Sequence, residues 1–182
     1  MKTRLKMILI LTLFACISGG VLSLVYIVSN PLIEANMLAE QDRSIFLVVP
    51  EAKSYEEVTK SGFTYYECKD QAGGTIGVAM PANGNGYQGS IRLMVGLTPD
   101  LDTITGLAVL EQVETPGLGG RISEKAFSDQ FTGLRTDPAV GWVKNQAPES
   151  DTDIQAVTGA TISSRSVVAI INKSIQQLKE VL

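Results

Sequence analysis

From Met7 to Ser29 the chain carries no charged side chain, and this run constrains the fold more than any other feature. About 20 apolar residues in a helix span the hydrocarbon of a bilayer. A cleaved signal peptide would have a shorter apolar core, roughly 7–15 residues, ending at small residues. Gly19-Gly20 offers such an end, but Val21-Leu22-Ser23-Leu24-Val25-Tyr26-Ile27-Val28 continues apolar past it. Leu13-Phe14-Ala15-Cys16 faintly resembles a lipoprotein cleavage box, yet cleavage there leaves the same apolar run downstream. A retained membrane helix is expected over 7–29. Lys2, Arg4 and Lys6 precede it, and no Lys or Arg follows before Arg43. The positive-inside tendency then puts the N-terminus (1–6) in the cytoplasm and the folded part across the inner or plasma membrane.

Composition removes whole classes of chemistry. There is no histidine, which excludes Ser-His-Asp and Cys-His catalysis, His-ligated haem and the common zinc sites. Two cysteines, Cys16 and Cys68, are too few for a four-Cys iron–sulfur cluster, and no metal site is expected. Cys68 is expected to be a buried small hydrophobe. Any redox chemistry must come from an organic cofactor. The first 29 residues hold 3 of the 15 basic residues and none of the 19 acidic ones, so the remainder is strongly acidic. Such a surface is a poor match for nucleic acid or for anionic lipid.

Beyond the membrane segment, residues 30–50 have apolar positions at helical spacing and are expected to form a juxtamembrane helix or linker ended by Pro50. Residues 51–182 form the domain. Four strands are expected: Phe63–Lys69, Thr75–Met80, Ser90–Leu97 and Thr103–Gln112. Gly73-Gly74 turns the first pair, and Pro99-Asp100 with Asp102 punctuates the last. Ile91, Leu93, Val95 and Leu97 alternate, as in a sheet with one buried face. Ile122–Phe131 reads as a short helix with Ser123 as its cap. Val167, Val168, Ile171, Ile175, Leu178 and Leu182 form one apolar stripe on a closing helix from Ser164. The fold class is α+β, an antiparallel sheet flanked by helices.

Three motifs carry the functional reading. In Thr158-Gly159-Ala160-Thr161-Ile162-Ser163-Ser164, hydroxyls flank a Gly-Ala pair at the start of a helix. Small residues let backbone approach a ligand, and free N–H groups at a helix start suit a phosphate. The same pattern also serves as an ordinary N-cap. Glu114-Thr115-Pro116-Gly117-Leu118-Gly119 is either a strand-to-helix turn or a loop whose N–H groups and Thr115 hydroxyl line a cofactor. Gly84-Asn85-Gly86-Tyr87-Gln88-Gly89 matches G-x-G-x-x-G, but the next segment alternates like a strand, so it lacks the helix a dinucleotide site requires. Lys144 is a candidate cation for a phosphate or ring, or an ordinary surface lysine; Trp142 is more naturally core.

Thr158-Gly159-Ala160-Thr161-x-Ser163 resembles the flavinylation motif of FMN-binding domains in two membrane complexes. These are the G subunit of the Rnf ferredoxin:NAD oxidoreductase and the C subunit of the sodium-translocating NADH:quinone reductase. Glu114–Gly119 and Gly86-Tyr87-Gln88-Gly89 also resemble that family, and the likeness runs over nearly the whole chain. Its short length favours the G subunit. The resemblance implies FMN joined by a phosphoester to Thr161 through a flavin transferase. It also implies a cofactor site of Glu114, Thr115, Gly117, Leu118, Lys144, Thr158, Gly159, Ala160 and Ser163. The family usually places Asp three residues before the first motif hydroxyl; here that residue is Gln155, with Asp153 out of register. The implied function is electron relay among other membrane subunits of a redox-driven, ion-translocating oxidoreductase, with no catalytic residues and no independent turnover. The alternatives are a free-standing anchored flavoprotein reductase and an unmodified structural or assembly subunit.

Overall fold

The computed structural model describes residues 2–182. Helix α1 runs Lys2–Val48. It is long and apolar enough to cross a membrane, and its most apolar stretch has a mean hydropathy of 2.5 with none of it buried. The sequence divides this region into 7–29 and 30–50, but one helix runs across that boundary and through Pro31. A proline removes one i→i−4 hydrogen bond, and here the flanking turns hold the helix together. The chain separates into a first unit ending at Glu40 and a second, Gln41–Leu182. The second unit therefore takes in the last turns of α1, where Ser44, Ile45 and Val48 are buried.

The second unit is built on a five-stranded antiparallel meander in the order β1 (Ser54–Lys60), β2 (Phe63–Lys69), β3 (Thr75–Asn85), β4 (Ser90–Leu97) and β5 (Ile104–Gln112). After β5 come a 3₁₀ turn at Gly119–Ser123, a four-residue α2 (Lys125–Ser128) and a second 3₁₀ turn at Asp129–Phe131. Short strands β6 (Gly141–Val143) and β7 (Asp153–Gln155) pair in parallel, and α3 (Thr161–Val181) closes the chain. Helix α3 lays Val167, Val168, Ile171, Ile175 and Leu178 into a core with Tyr65, Met80, Ile91, Leu93, Val95 and Leu97. That is the stripe its 3.6-residue period specifies, save that Leu182 lies beyond the helix and is exposed.

Four expectations are corrected. Residues 54–60 form an additional strand, β1, whose charged edge position hides its period; Ser61-Gly62, both at positive φ, makes its hairpin with β2. Strand β3 runs on through Pro81 to Asn85. Pairing with β2 stops at Ala79, so at Pro81 the strand has a partner on the β4 side alone, and a proline is tolerated at such an edge. The segment 122–131 is broken into 3₁₀ and α pieces, and Ser123 does not cap: the residue preceding α2 is Glu124, with no side-chain cap bond.

The last correction concerns the sheet, which is buried on both faces. Opposite the α3 core, Ile45, Val48, Val49 and Ala52 pack with Tyr66, Cys68, Ala79, Met94 and Ala108. Where the backbone of α1 touches the strands, the positions are glycine. A Cβ on Gly96 would fall on the Val48 carbonyl oxygen and on Thr105 Oγ1, and one on Gly106 would lie 3.0 Å from Val48 Cα. Thr105 Oγ1 donates to that carbonyl at 2.6 Å. Cys68 is fully buried here, and burial pushes its thiol up to about 11, so it is inert packing.

Candidate functional site

Four segments meet at one end of the domain: the β3–β4 loop, the segment after β5, Lys144-Asn145 after β6, and the start of α3. Between them lies a cleft of about 560 Å³, lined by Tyr87, Glu114, Thr115, Leu118, Gly119, Lys144, Asn145 and the run Thr158–Ser163. That volume is within the usual range for a cofactor-sized ligand, roughly 300–1,000 Å³. All three motif blocks reach it, although they are far apart in sequence. Tyr87, Leu118 and Ile162 are 69%, 51% and 46% exposed, an unusual grouping of large apolar side chains at one opening. They suit the faces of a planar ring.

The start of α3 distinguishes ligand site from cap. The residue before the helix is Ala160, and no side chain caps it. The leading N–H groups of a helix have no intrahelical partners, and here no hydroxyl takes them. Thr161, the first helical residue, is half-buried and lines the cleft. Gly159 takes φ +84°, a conformation that favours glycine, and Thr158 before it is exposed. The other two hydroxyls are committed internally. Ser163 Oγ donates to Glu114 Oε2 at 2.5 Å, while Ser164 Oγ donates to the Ala160 carbonyl and accepts from the Val157 N–H, each at 3.0 Å. The ordinary N-cap reading has no hydrogen bond to support it.

Glu114 is the node that joins the blocks. Its Oε1 accepts the Gln88 N–H at 2.9 Å, and Thr115 Oγ1 donates to Gln88 Oε1 at 2.7 Å. A Cβ on Gly86 would fall on the same carboxylate, and one on Gly119 would lie 2.6 Å from Glu114 Oε2 and 2.7 Å from Ser163 Oγ. Burial pushes the Glu114 carboxyl up. The donors from Ser163 and from the backbone at Gln88, Gly89 and Tyr87 outweigh this and hold it below its ordinary value. The remaining glycines of the G-x-G-x-x-G string serve packing: a Cβ on Gly84 would meet Ile170 of α3 at 2.6 Å. The segment that follows is strand β4, as the alternation requires.

Of the residues singled out in sequence, Glu114, Thr115, Leu118, Lys144, Thr158, Gly159, Ala160, Thr161 and Ser163 line the cleft; Gly117 does not. Gly117 sits at φ +75° behind Pro116, where the Leu118 N–H reaches the Thr115 carbonyl at 3.1 Å, so the tight turn itself requires it. Tyr87, Gly119, Asn145 and Ile162 join the lining. Asn145 stands next to Lys144 at φ +55°, and nothing in its neighbourhood marks it in the sequence. Gln155 is exposed, with its backbone held by Gln130, and the Asp153 carboxylate occupies the space beside Gly141. No cluster of His, Cys, Asp or Glu suited to a metal occurs among the described residues.

Comparison with known proteins agrees with this geometry. Residues 86–176 match the FMN-binding domain family, a span that begins in the β3–β4 loop and ends in α3. The chain is 28% identical to the G subunit of the ion-translocating oxidoreductase complex of Methanosarcina acetivorans, over 96% of this chain and 94% of that protein. It is 30% identical to the G subunit of the proton-translocating ferredoxin:NAD(+) oxidoreductase complex of Clostridium ljungdahlii, over 92% and 88%. The crystal structure of Shewanella oneidensis NqrC shares its fold, with TM-score 0.58 at 24% identity over 71% of this chain and 72% of that one. The chain belongs to the FMN-binding domain family, in the branch of the G subunits of ion-translocating oxidoreductase complexes.

Proposed function

We propose that this chain is the electron-relay subunit of a membrane-bound, ion-translocating ferredoxin:NAD oxidoreductase and carries FMN in the cleft between its three motif blocks. The observation that carries the reading is the convergence of Glu114–Gly119, Gly86–Gly89 and Thr158–Ser163 on one cleft, in a chain that aligns almost end to end with the G subunits of such complexes. Tyr87, Leu118 and Ile162 would hold the ring, while Lys144 and the uncapped start of α3 would face the phosphate. The phosphate would be esterified to Thr161 by a flavin transferase, which keeps the cofactor from being lost. Flavin accepts one or two electrons, and the protein supplies placement and tuning of potential. A complex purified through a tag on this chain should contain further membrane subunits, and the purified chain alone should show no useful turnover with NADH. Brisk NADH oxidation by the chain alone would favour a free-standing reductase.

The orientation follows from Lys2, Arg4 and Lys6 on one side of the apolar run. Protease added to spheroplasts is expected to digest residues 41–182 without lysis. Protection until lysis would reverse the topology.

A further inference from the structure

Glu114 is a buried carboxylate without a cation. It is 4% exposed, and the ion pairs among the described residues, Lys69–Glu56, Arg92–Glu111, Arg121–Glu124 and Lys125–Asp129, leave it out. Its partners are neutral donors: Ser163 Oγ, the Gln88 N–H and the backbone at Gly89 and Tyr87. Burying an ionised group is costly unless hydrogen bonds compensate. Glutamine would serve a purely structural need as well. Its carbonyl would accept from Gln88, and its amide would donate to a rotated Ser163 hydroxyl. The fold nevertheless keeps a charge here, in the wall of the cleft, and clears space for it at Gly86 and Gly119.

We infer that Glu114 is a positioning residue whose fixed negative charge holds the reduction potential of the FMN low by opposing the charge the ring system gains on reduction. The inference rests on the proposed occupancy of the cleft by FMN. Lys144, of opposite sign, is exposed at the same cleft and is screened by water and salt, whereas the buried carboxylate is screened much less. Arg121 is turned to Glu124 and the Thr158 carbonyl, and Tyr87 is the remaining titratable group in the lining.

The test is a redox titration of the full chain in detergent, loaded with FMN in a host that has a flavin transferase. Glu114→Gln is expected to raise the midpoint, so that the reduced-to-oxidised ratio against a dye of fixed potential rises by about tenfold or more, tenfold being the lower bound for a unit charge within roughly 12 Å at an effective dielectric near 20. Ser163→Ala breaks a hydrogen bond but keeps the charge, and should move the midpoint far less. Equal shifts in the two variants would make the role structural, and an unchanged midpoint in Glu114→Gln would overturn the inference. Wild-type protein gives a reading that needs no variant: because hydrogen bonds hold the Glu114 carboxyl below its ordinary value, the midpoint–pH curve should break upward on acidification below the ordinary glutamate range, where Lys, Arg and Tyr side chains keep their charge. A curve with no break there overturns the inference as well. Wild-type chain that takes up no FMN would instead defeat the cofactor reading beneath it.

Discussion

Thr161→Ala is expected to abolish flavin fluorescence that survives denaturation and electrophoresis, and Thr161→Ser to retain part of it. The run Thr158–Ser164 holds four hydroxyls, and their environments differ. Ser163 and Ser164 are buried and tied into hydrogen bonds with Glu114, Ala160 and Val157, so esterifying either would break the joint between the loops. Thr158 is exposed and lies before the helix. Thr161 alone combines a place in the cleft with the first position of α3, where the leading N–H groups and the positive end of the dipole stabilise a phosphate. Its hydroxyl makes no hydrogen bond to another described residue, so the alanine variant should fold with a stability change within about 0.5 kcal/mol. The intact mass of wild-type protein should exceed the chain mass by the FMN adduct, and that of Thr161→Ala should equal the chain mass. Covalent flavin persisting in the alanine variant would move the attachment to Thr158 or a serine.

The largest effect on folding is expected from Gly96→Val. A Cβ at Gly96 collides with backbone, the Val48 carbonyl, and with Thr105 Oγ1, and backbone cannot rotate out of the way as a side chain can. The new side chain must push α1 off the sheet and break the bond from Thr105 to Val48. Overpacking costs about 1–3 kcal/mol and the lost hydrogen bond about 1 more, which lowers the melting temperature by roughly 5–15 °C in a domain of this size. Thermal unfolding followed by Trp142 fluorescence checks this. A melting temperature within about 2 °C of wild type would mean that the end of α1 is not docked on this face in solution.

The face under α1 was also the least legible part of the sequence. Alternation of Ile91, Leu93, Val95 and Leu97 announced one core, which α3 covers. The second core mixes Tyr66, Cys68 and Met94 with Gly77, Ala79, Gly96, Gly106 and Ala108, since close backbone contact selects for missing side chains and interrupts the hydrophobic period. Strand β1 was hidden for the opposite reason, because an edge strand carries charge to discourage pairing with other chains. At the site, the motif blocks were readable as glycine and hydroxyl patterns, but their meeting was not. That Glu114 joins Ser163 to Gln88 and that Asn145 enters the cleft both depend on long-range pairing of loops, which no local pattern encodes, whereas the turn at Pro116-Gly117 is local and was one of the two readings the sequence offered.

Electrons are expected to pass through a flavin on this chain inside a larger membrane complex. The most direct test is rapid mixing of the complex, purified through a tag on this chain, with reduced ferredoxin and then with NAD⁺, in wild-type and Thr161→Ala forms. In the wild type, the flavin on this chain should be reduced by ferredoxin and reoxidised by NAD⁺ at least as fast as the complex turns over. The Thr161→Ala complex should assemble and yet lose electron transfer. A Thr161→Ala complex that assembles without flavin on this chain and still turns over at the wild-type rate would contradict that path.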